Sequence, residues 1–106
     1  MKEKIKVCAK LPGRQFKMIV IDNTLEAMQK LVGGYIEVVP LSARAVLIVN
    51  EEGKIRQLEP NFEFFGVDVI CGTAFICGVD GENFTDCPHT LPAIRGMFPE
   101  CYGMEA

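Results

Sequence analysis

The sequence has little positive charge, a single histidine and no long apolar run. Its 11 lysines and arginines stand against 14 acidic residues, which gives a formal net charge of -3 and a pI near 5.1. The basic residues form no local cluster, so a nucleic-acid groove is not expected. No apolar stretch approaches the roughly 18 residues that span a membrane, and the first residues lack the apolar core of a signal peptide. The composition therefore predicts a soluble, intracellular protein.

The 5 cysteines are an odd number and do not suggest a disulfide framework. Two of them, Cys71 and Cys77, lie in the apolar stretch VICGTAFICG. On a regular strand their sulfurs would stand about 20 Å apart, at roughly 3.3 Å per residue. That separation excludes a disulfide between them and a shared metal ion. Only a sharp reversal at Gly72-Thr73 would bring the two sulfurs together, and a single C-x5-C pair would still supply only half of a zinc site. We therefore predict that both thiols are unpaired and largely unreactive in the native state.

The segment Asp86-Cys-Pro-His89, with Cys101 further on, contains the atom types that bind zinc. The C-x-H spacing does not match that of structural zinc sites, so we predict no metal. Cys87 and His89 also lack an orienting third residue for nucleophilic catalysis. The glycine spacings match no phosphate-binding loop. We predict no catalytic residue and no cofactor, and a binding protein is favoured over an enzyme.

A length of 106 residues with 49% hydrophobic and 24% charged residues indicates a single domain over 1–106, with an α+β core over 1–84 and a proline-broken tail over 85–106. Alternating basic and apolar residues over 4–10, followed by an apolar run over 16–22, predict a β-hairpin. Polar capping residues and closing glycines delimit a helix over about 23–33. Further strands are predicted over 35–41, 43–49, 54–58 and 67–79.

The segment 85–106 differs, because Pro88, Pro92 and Pro99 interrupt it and its apolar residues follow no period. We predict a short helix within an irregular C-terminal tail. The strand over 67–79 is apolar on both faces, yet one helix covers only one face. We expect a second copy of the chain to cover the other, with the tail as the competing explanation. The fold class is α+β: a mainly antiparallel sheet of five or six strands, with one principal helix packed on it.

Polar residues cluster near the turn Asn50-Glu-Glu-Gly53 and near Pro60, beside several phenylalanines. They combine hydrogen-bond donors, acceptors and cations, a mixture that can hold a small polar or anionic ligand. The alternative is that both segments have this composition only because turns favour these residue types. The predicted ligand-binding residues are Asn50, Glu51, Lys54, Arg56 and Asn61.

Three ordered segments, TLEAMQKLVGGYIEVVPL, VLIVNEEGKIRQLEPN and DVICGTAFICG, resemble the domain-of-unknown-function family numbered 3846. This family occurs in phages and mobile elements of bacteria. The resemblance covers roughly residues 15–84, and the ordered series is far more specific than any one segment. The resemblance implies that family members are similar to one another at the turn Asn50-Glu-Glu-Gly-Lys54, at Leu58 with Pro60-Asn61, and at Gly72. Family members often end in an acidic helix, whereas this chain is broken by prolines there.

Two functions are compatible with these residues and with the resemblance. The first is a non-enzymatic accessory protein that binds a small polar or nucleotide-derived ligand and so interferes with host defence. The second is a protein-interaction module that masks a host protein through an acidic surface. The resemblance implies the cytoplasm of a bacterial host. We expect a homo-oligomer, with a dimer favoured, and neither membrane nor nucleic acid as a partner.

Overall fold

The computed structural model describes residues 3–104. The elements in chain order are β1 (Lys4–Lys10), β2 (Lys17–Asp22), α1 (Leu25–Val32), β3 (Ile36–Ser42), β4 (Ala45–Asn50), β5 (Pro60–Phe64), β6 (Asp68–Cys71), β7 (Ala74–Asp80), β8 (Asn83–Thr85) and α2 (Leu91–Met97). A 6-stranded sheet has the order β2-β1-β7-β4-β3 with β8 beside β7, while β5 and β6 form a 2-stranded sheet. These strands pair antiparallel, which confirms the predicted α+β fold class.

Helix α1 has a clear start and stop in the sequence. The Thr24 hydroxyl accepts a hydrogen bond from the Ala27 amide, as an N-cap does. Gly33 ends the helix at φ 79°, a left-handed conformation that favours glycine, and its amide donates to Gln29. Met28 and Val32 are buried against the sheet. The helix predicted over 23–33 is therefore confirmed. No helix within residues 3–104 is long and apolar enough to cross a membrane.

The large sheet is buried on both faces within one chain. Helix α1 covers one face, where the buried residues are Ile5, Val7, Ala9, Met28, Val32, Val46, Ile48, Phe75 and Cys77. The β5–β6 hairpin and α2 cover the other face, where the buried residues are Cys8, Phe16, Ala45, Leu47, Val49, Phe62, Ile70, Ala74, Ile76, Ile94 and Phe98. The C-terminal tail, which was the competing explanation, therefore helps to cover the second face of the sheet. The homodimer remains a prediction, but an uncovered sheet face is no longer a reason to expect it.

The segment predicted as one strand over 67–79 is two strands in different sheets. Gly72 has φ 87° between β6 and β7, so the chain turns there and the predicted strand is wrong. A side chain at this glycine would also come within 2.8 Å of Leu58. The distance of about 20 Å between the two sulfurs, which assumed a regular strand, does not apply.

Two further differences concern short segments. The strand predicted over 54–58 is a series of turns, in which the amides of Arg56 and Leu58 donate to the carbonyls of Glu52 and Gly53. Strand β5 (Pro60–Phe64) begins at Pro60, in a segment for which the sequence predicts no strand. Proline is tolerated at the first residue of a strand because no ladder hydrogen bond is needed there.

The C-terminal tail contains the short helix that was predicted, α2. Thr90 caps it by accepting from the Ala93 amide, and Pro92 lies in the first turn, where its missing N–H costs nothing. Beyond α2 the chain runs along the outer edge of β5. The amide of Glu63 donates to the Glu100 carbonyl at 2.9 Å. The tail therefore covers both the second face of the large sheet and one edge of the small one.

Candidate functional site

The turn after β4 is anchored to the C-terminal end of α1 by two of the predicted site residues. Asn50 is buried; its Nδ2 donates to the Val32 carbonyl at 3.1 Å, and its Oδ1 accepts from the Glu52 amide at 2.8 Å. Arg56 Nη1 donates to the Gly33 carbonyl at 3.0 Å. The last carbonyl groups of a helix have no hydrogen-bond donors within the helix. The side chains of Asn50 and Arg56 supply donors to the carbonyls at the end of α1. Both residues therefore have a structural role at the helix end.

Gly34 lies between these two side chains. A Cβ atom there would come within 2.8 Å of Asn50 Nδ2 and 3.1 Å of Arg56 Nη1. The sequence predicts that the glycines after α1 end the helix. Gly34 also leaves the space that the side chains of Asn50 and Arg56 need to reach the end of α1.

A first cleft, which we call the acidic cleft, lies between the β3–β4 pair and β6. Its volume is about 310 Å³. Its lining residues are Glu37, Val39, Val49, Asn50, Glu51, Gly53, Lys54, Ile55 and Asp68–Cys71. Three of the five predicted site residues, Asn50, Glu51 and Lys54, thus lie together here.

The acidic cleft has an excess of negative charge. Lys54 forms an ion pair with Asp68, and this hydrogen bond holds the pKa of the Asp68 carboxyl below its usual range. Glu37 and Glu51 form no ion pair within residues 3–104. One lysine against three carboxylates leaves the lining with a net charge of -2. An anionic ligand would be repelled here, whereas a cation would be attracted.

A second cleft, which we call the Arg56 cleft, opens on the helix side of the same turn. Its volume is about 440 Å³. Its lining residues are Leu11, Pro12, Leu31, Val32, Gly33, Arg56, Leu58, Glu59, Gly72 and Thr73. Arg56 and Glu59 lie in the same lining but form no ion pair in the part of the chain that the structure describes. This cleft combines apolar walls with an exposed guanidinium group.

Asn61 lines neither cleft, because it is buried in the centre of the molecule. Its Oδ1 accepts from Lys10 Nζ at 2.6 Å. Its Nδ2 donates to the carbonyls of Lys10 and Gly72 at 2.8 Å and 2.9 Å. This side chain therefore joins β1 to the small sheet and to the turn at Gly72.

Lys10 is the buried charge that the sequence reasoning missed. The residue is only 1% exposed, and its Nζ lies 5.9 Å from the centre of the Phe16 ring. Burial lowers the pKa of its ammonium group. The alternating pattern of β1 predicts that Lys10 lies on the solvent-exposed face of the strand, together with Lys4 and Lys6. Cys8 lies on that same face, and this apolar residue indicates that the face becomes buried towards the end of the strand.

The thiols fall into two environments. Cys8 and Cys77 are fully buried, and burial raises the pKa of each thiol to about 12. Cys71 is half-buried and lines the acidic cleft. Since the thiolate is the reactive form, Cys77 should resist labelling as predicted, whereas Cys71 is more accessible than its apolar surroundings in the sequence suggested.

Replacing Cys77 by valine is expected to remove part of the loss of stability at alkaline pH. A raised pKa in the folded state stabilises the protein below pH 9, and this stabilisation is lost as the pH rises from 9 towards 12. At pH 10 the loss is about 1.4 kcal/mol for each such thiol. Urea unfolding at pH 8 and pH 10, under reducing conditions, measures it. The lowered pKa of Lys10 makes its contribution to stability increase with pH. Since Lys10 is present in both the wild type and Cys77→Val, this contribution cancels in the comparison.

The matched control for this measurement is Cys71→Val, which changes a half-buried thiol. The alkaline loss of this variant is the reference with which that of Cys77→Val is compared. Equal losses in the wild type and in Cys77→Val would contradict the buried position of the Cys77 thiol.

The tail residues considered for zinc are dispersed. His89 Nε2 lies 3.1 Å from Ser42 Oγ, while Cys101 Sγ donates to the Phe98 carbonyl at 3.4 Å. Within residues 3–104, no three histidine, cysteine or acidic side chains come close enough to hold a metal ion.

Together these features define a small α+β protein with two clefts of different charge on either side of one turn. The chain belongs to the family described as Domain of unknown function (DUF3846), whose model matches residues 5–98. The match confirms the resemblance seen in the sequence and extends it towards both ends. No curated protein and no solved structure matches the chain.

Proposed function

We propose that this chain is a non-enzymatic accessory protein that binds a small, nucleotide-derived ligand in the Arg56 cleft. The observation that supports this most directly is the state of Arg56. Its guanidinium group offers five N–H donors, of which the hydrogen bond to Gly33 uses one. No carboxylate within residues 3–104 forms an ion pair with it. A guanidinium group in this state suits a phosphate group.

The charges of the two clefts favour this location over the acidic cleft. A phosphate in the acidic cleft would face a lining with a net charge of -2, whereas the lining of the Arg56 cleft contains one guanidinium group and one carboxylate, that of Glu59, and has no net charge. Hydrogen bonds to a charged group contribute about 1.5–3 kcal/mol each. Leu11, Pro12 and Leu58 provide apolar surface against which a base can pack.

The biological setting of the proposal rests on the resemblance to phage and mobile-element proteins. In a bacterial cytoplasm, such a protein would lower the free concentration of a signalling nucleotide by binding it without turnover. That activity would interfere with host defence wherever the defence depends on the nucleotide.

Replacing Arg56 by glutamine is expected to weaken nucleotide binding at least tenfold, the equivalent of about 1.4 kcal/mol. Calorimetric titration with a panel of mononucleotides and cyclic dinucleotides measures the effect. Arg44→Gln is the matched control, because Arg44 is also an exposed arginine on a turn but lines neither cleft. If the wild type binds no member of the panel, or if both variants bind as the wild type does, the proposal is wrong.

A second candidate function, a protein-interaction module with an acidic surface, is favoured by the acidic cleft and its surroundings. Ile55 is 82% exposed in the lining of that cleft, and Val67, next to β6, is 85% exposed. Large exposed apolar side chains near a charged cleft can supply the apolar part of a protein contact. We also retain the homodimer as a proposal. Since both faces of the large sheet are covered, a dimer would have to form through exposed residues of this kind, and light scattering would detect it.

A further inference from the structure

Within residues 3–104, one edge of strand β6 is not paired with another strand. On the other side of the hairpin, the Glu63 amide points outward from β5, where it donates to the Glu100 carbonyl. Glu63 lies directly opposite Val69 in the antiparallel register. In an antiparallel pair, two residues directly opposite each other either exchange main-chain hydrogen bonds or both direct their N–H and C=O groups away from the partner strand. The N–H and C=O groups of Val69 therefore point away from β5, and Val69 lines the acidic cleft.

Side chains of neighbouring residues form hydrogen bonds with the N–H and C=O groups of Val69. The Val69 amide donates to the Oδ1 atom of its neighbour Asp68 at 2.8 Å. The Val69 carbonyl accepts only a long contact from Cys71 Sγ, at 3.9 Å. A thiol is a weak donor, and a carboxylate that is half-exposed returns readily to water. Neither contact prevents another strand from pairing with this edge.

We propose that the free edge of β6 binds an extended, basic segment of a partner protein by strand addition. The added strand would exchange main-chain hydrogen bonds with Val69. Its alternate side chains would point towards Glu37 and Glu51, which therefore select lysine or arginine at every second position. The remaining contact area is the exposed apolar surface of Ile55 and Val67. This inference rests on the second candidate function and is independent of nucleotide binding.

The charge of the cleft identifies the partner as a different protein. A second copy of the chain would bring its own net charge of -3 to a cleft that already has an excess of carboxylates. The basic strand of this chain, β1, is paired on both sides inside the large sheet and is not free to be added. A basic segment of another protein meets neither obstacle.

Fluorescence anisotropy with a labelled hexapeptide of alternating lysine and valine tests this inference. The wild type is expected to bind it, whereas the same peptide with glutamate in place of lysine should bind at least tenfold more weakly. Val69→Pro removes the outward N–H, a change that edge strands tolerate, and should also weaken binding at least tenfold. Glu37→Gln with Glu51→Gln should weaken binding and reduce its salt dependence. The matched charge control is Glu26→Gln with Glu82→Gln, away from the cleft.

Amide hydrogen exchange adds a measurement that does not depend on whether Val69→Pro folds. The bound peptide should slow exchange of the Val69 amide, whereas a polyamine such as spermine, which only neutralises the carboxylates, should not. No binding of the basic peptide, equal binding of the acidic peptide, or unchanged exchange at Val69 would each overturn strand addition. Peptide and nucleotides are titrated separately against the wild type, so failure of the nucleotide proposal is distinguished from failure of strand addition.

Discussion

Replacing Asn61 by alanine is expected to lower the free energy of unfolding by about 3–5 kcal/mol, because three buried polar groups lose a hydrogen bond and the Lys10 ammonium keeps only the Asn61 main-chain carbonyl, at 3.3 Å, as an acceptor. The Lys10 ammonium would lose its 2.6 Å acceptor. The carbonyls of Lys10 and Gly72 would each lose a donor in the interior. Urea unfolding followed by circular dichroism at pH 7 measures the change.

A double-mutant cycle separates the charge from the other contacts of Asn61. Lys10→Met removes the ammonium group and keeps most of the apolar side chain, so the double variant should be more stable than the sum of the two single changes indicates. The control is Asn50→Ala, which also removes a buried asparagine but one whose side chain contacts only main-chain groups and no buried cation, and it should cost about 1–3 kcal/mol. Strict additivity of the two changes would contradict the Lys10–Asn61 interaction.

Replacing Phe98 by alanine is expected to cost about 3–5 kcal/mol, the usual range for removing a buried aromatic ring. Its ring centre lies 5.0 Å from those of Phe62 and Phe65, and 6.0 Å from that of Phe16. The side chain is 1% exposed. Since Phe98 belongs to the tail, the same unfolding measurement tests whether the tail covers the second face of the sheet.

The matched control for Phe98 is Tyr102→Ala, which changes an exposed aromatic residue of the same tail and should alter stability by no more than about 0.5 kcal/mol. A loss below about 1 kcal/mol for Phe98→Ala would mean that the second face is covered in another way. A partner subunit would then be the alternative, and the oligomeric state would have to change with protein concentration.

The fold was largely predictable because most strands have a clear local pattern. The alternation in β1 and the capped helix α1 each depend on residues close together in the sequence. The run containing Cys71 and Cys77 was different. A strand buried on both faces and two consecutive buried strands produce the same continuous apolar run, and only the conformation of Gly72 separates them.

The site was less predictable, because the type of a polar residue does not reveal the direction of its side chain. Asn50 and Arg56 were selected as ligand-binding residues, and both bind the carbonyls at the end of α1. Asn61 was selected for the same reason and lies in the interior beside Lys10. The division of the turn into an acidic cleft and an Arg56 cleft depends on which strands lie beside it, and that information is not local in the sequence.

The most direct test of the proposed function is a nuclear magnetic resonance titration of the isotope-labelled protein with the nucleotide panel. The amides of Gly33, Leu58 and Thr73, which line the Arg56 cleft, should shift and saturate. The same shifts should be absent in Arg56→Gln. Shifts confined to Glu37 and Val69 in the acidic cleft, or no saturable shift with any nucleotide, would contradict the proposal that this protein binds a nucleotide-derived ligand beside Arg56.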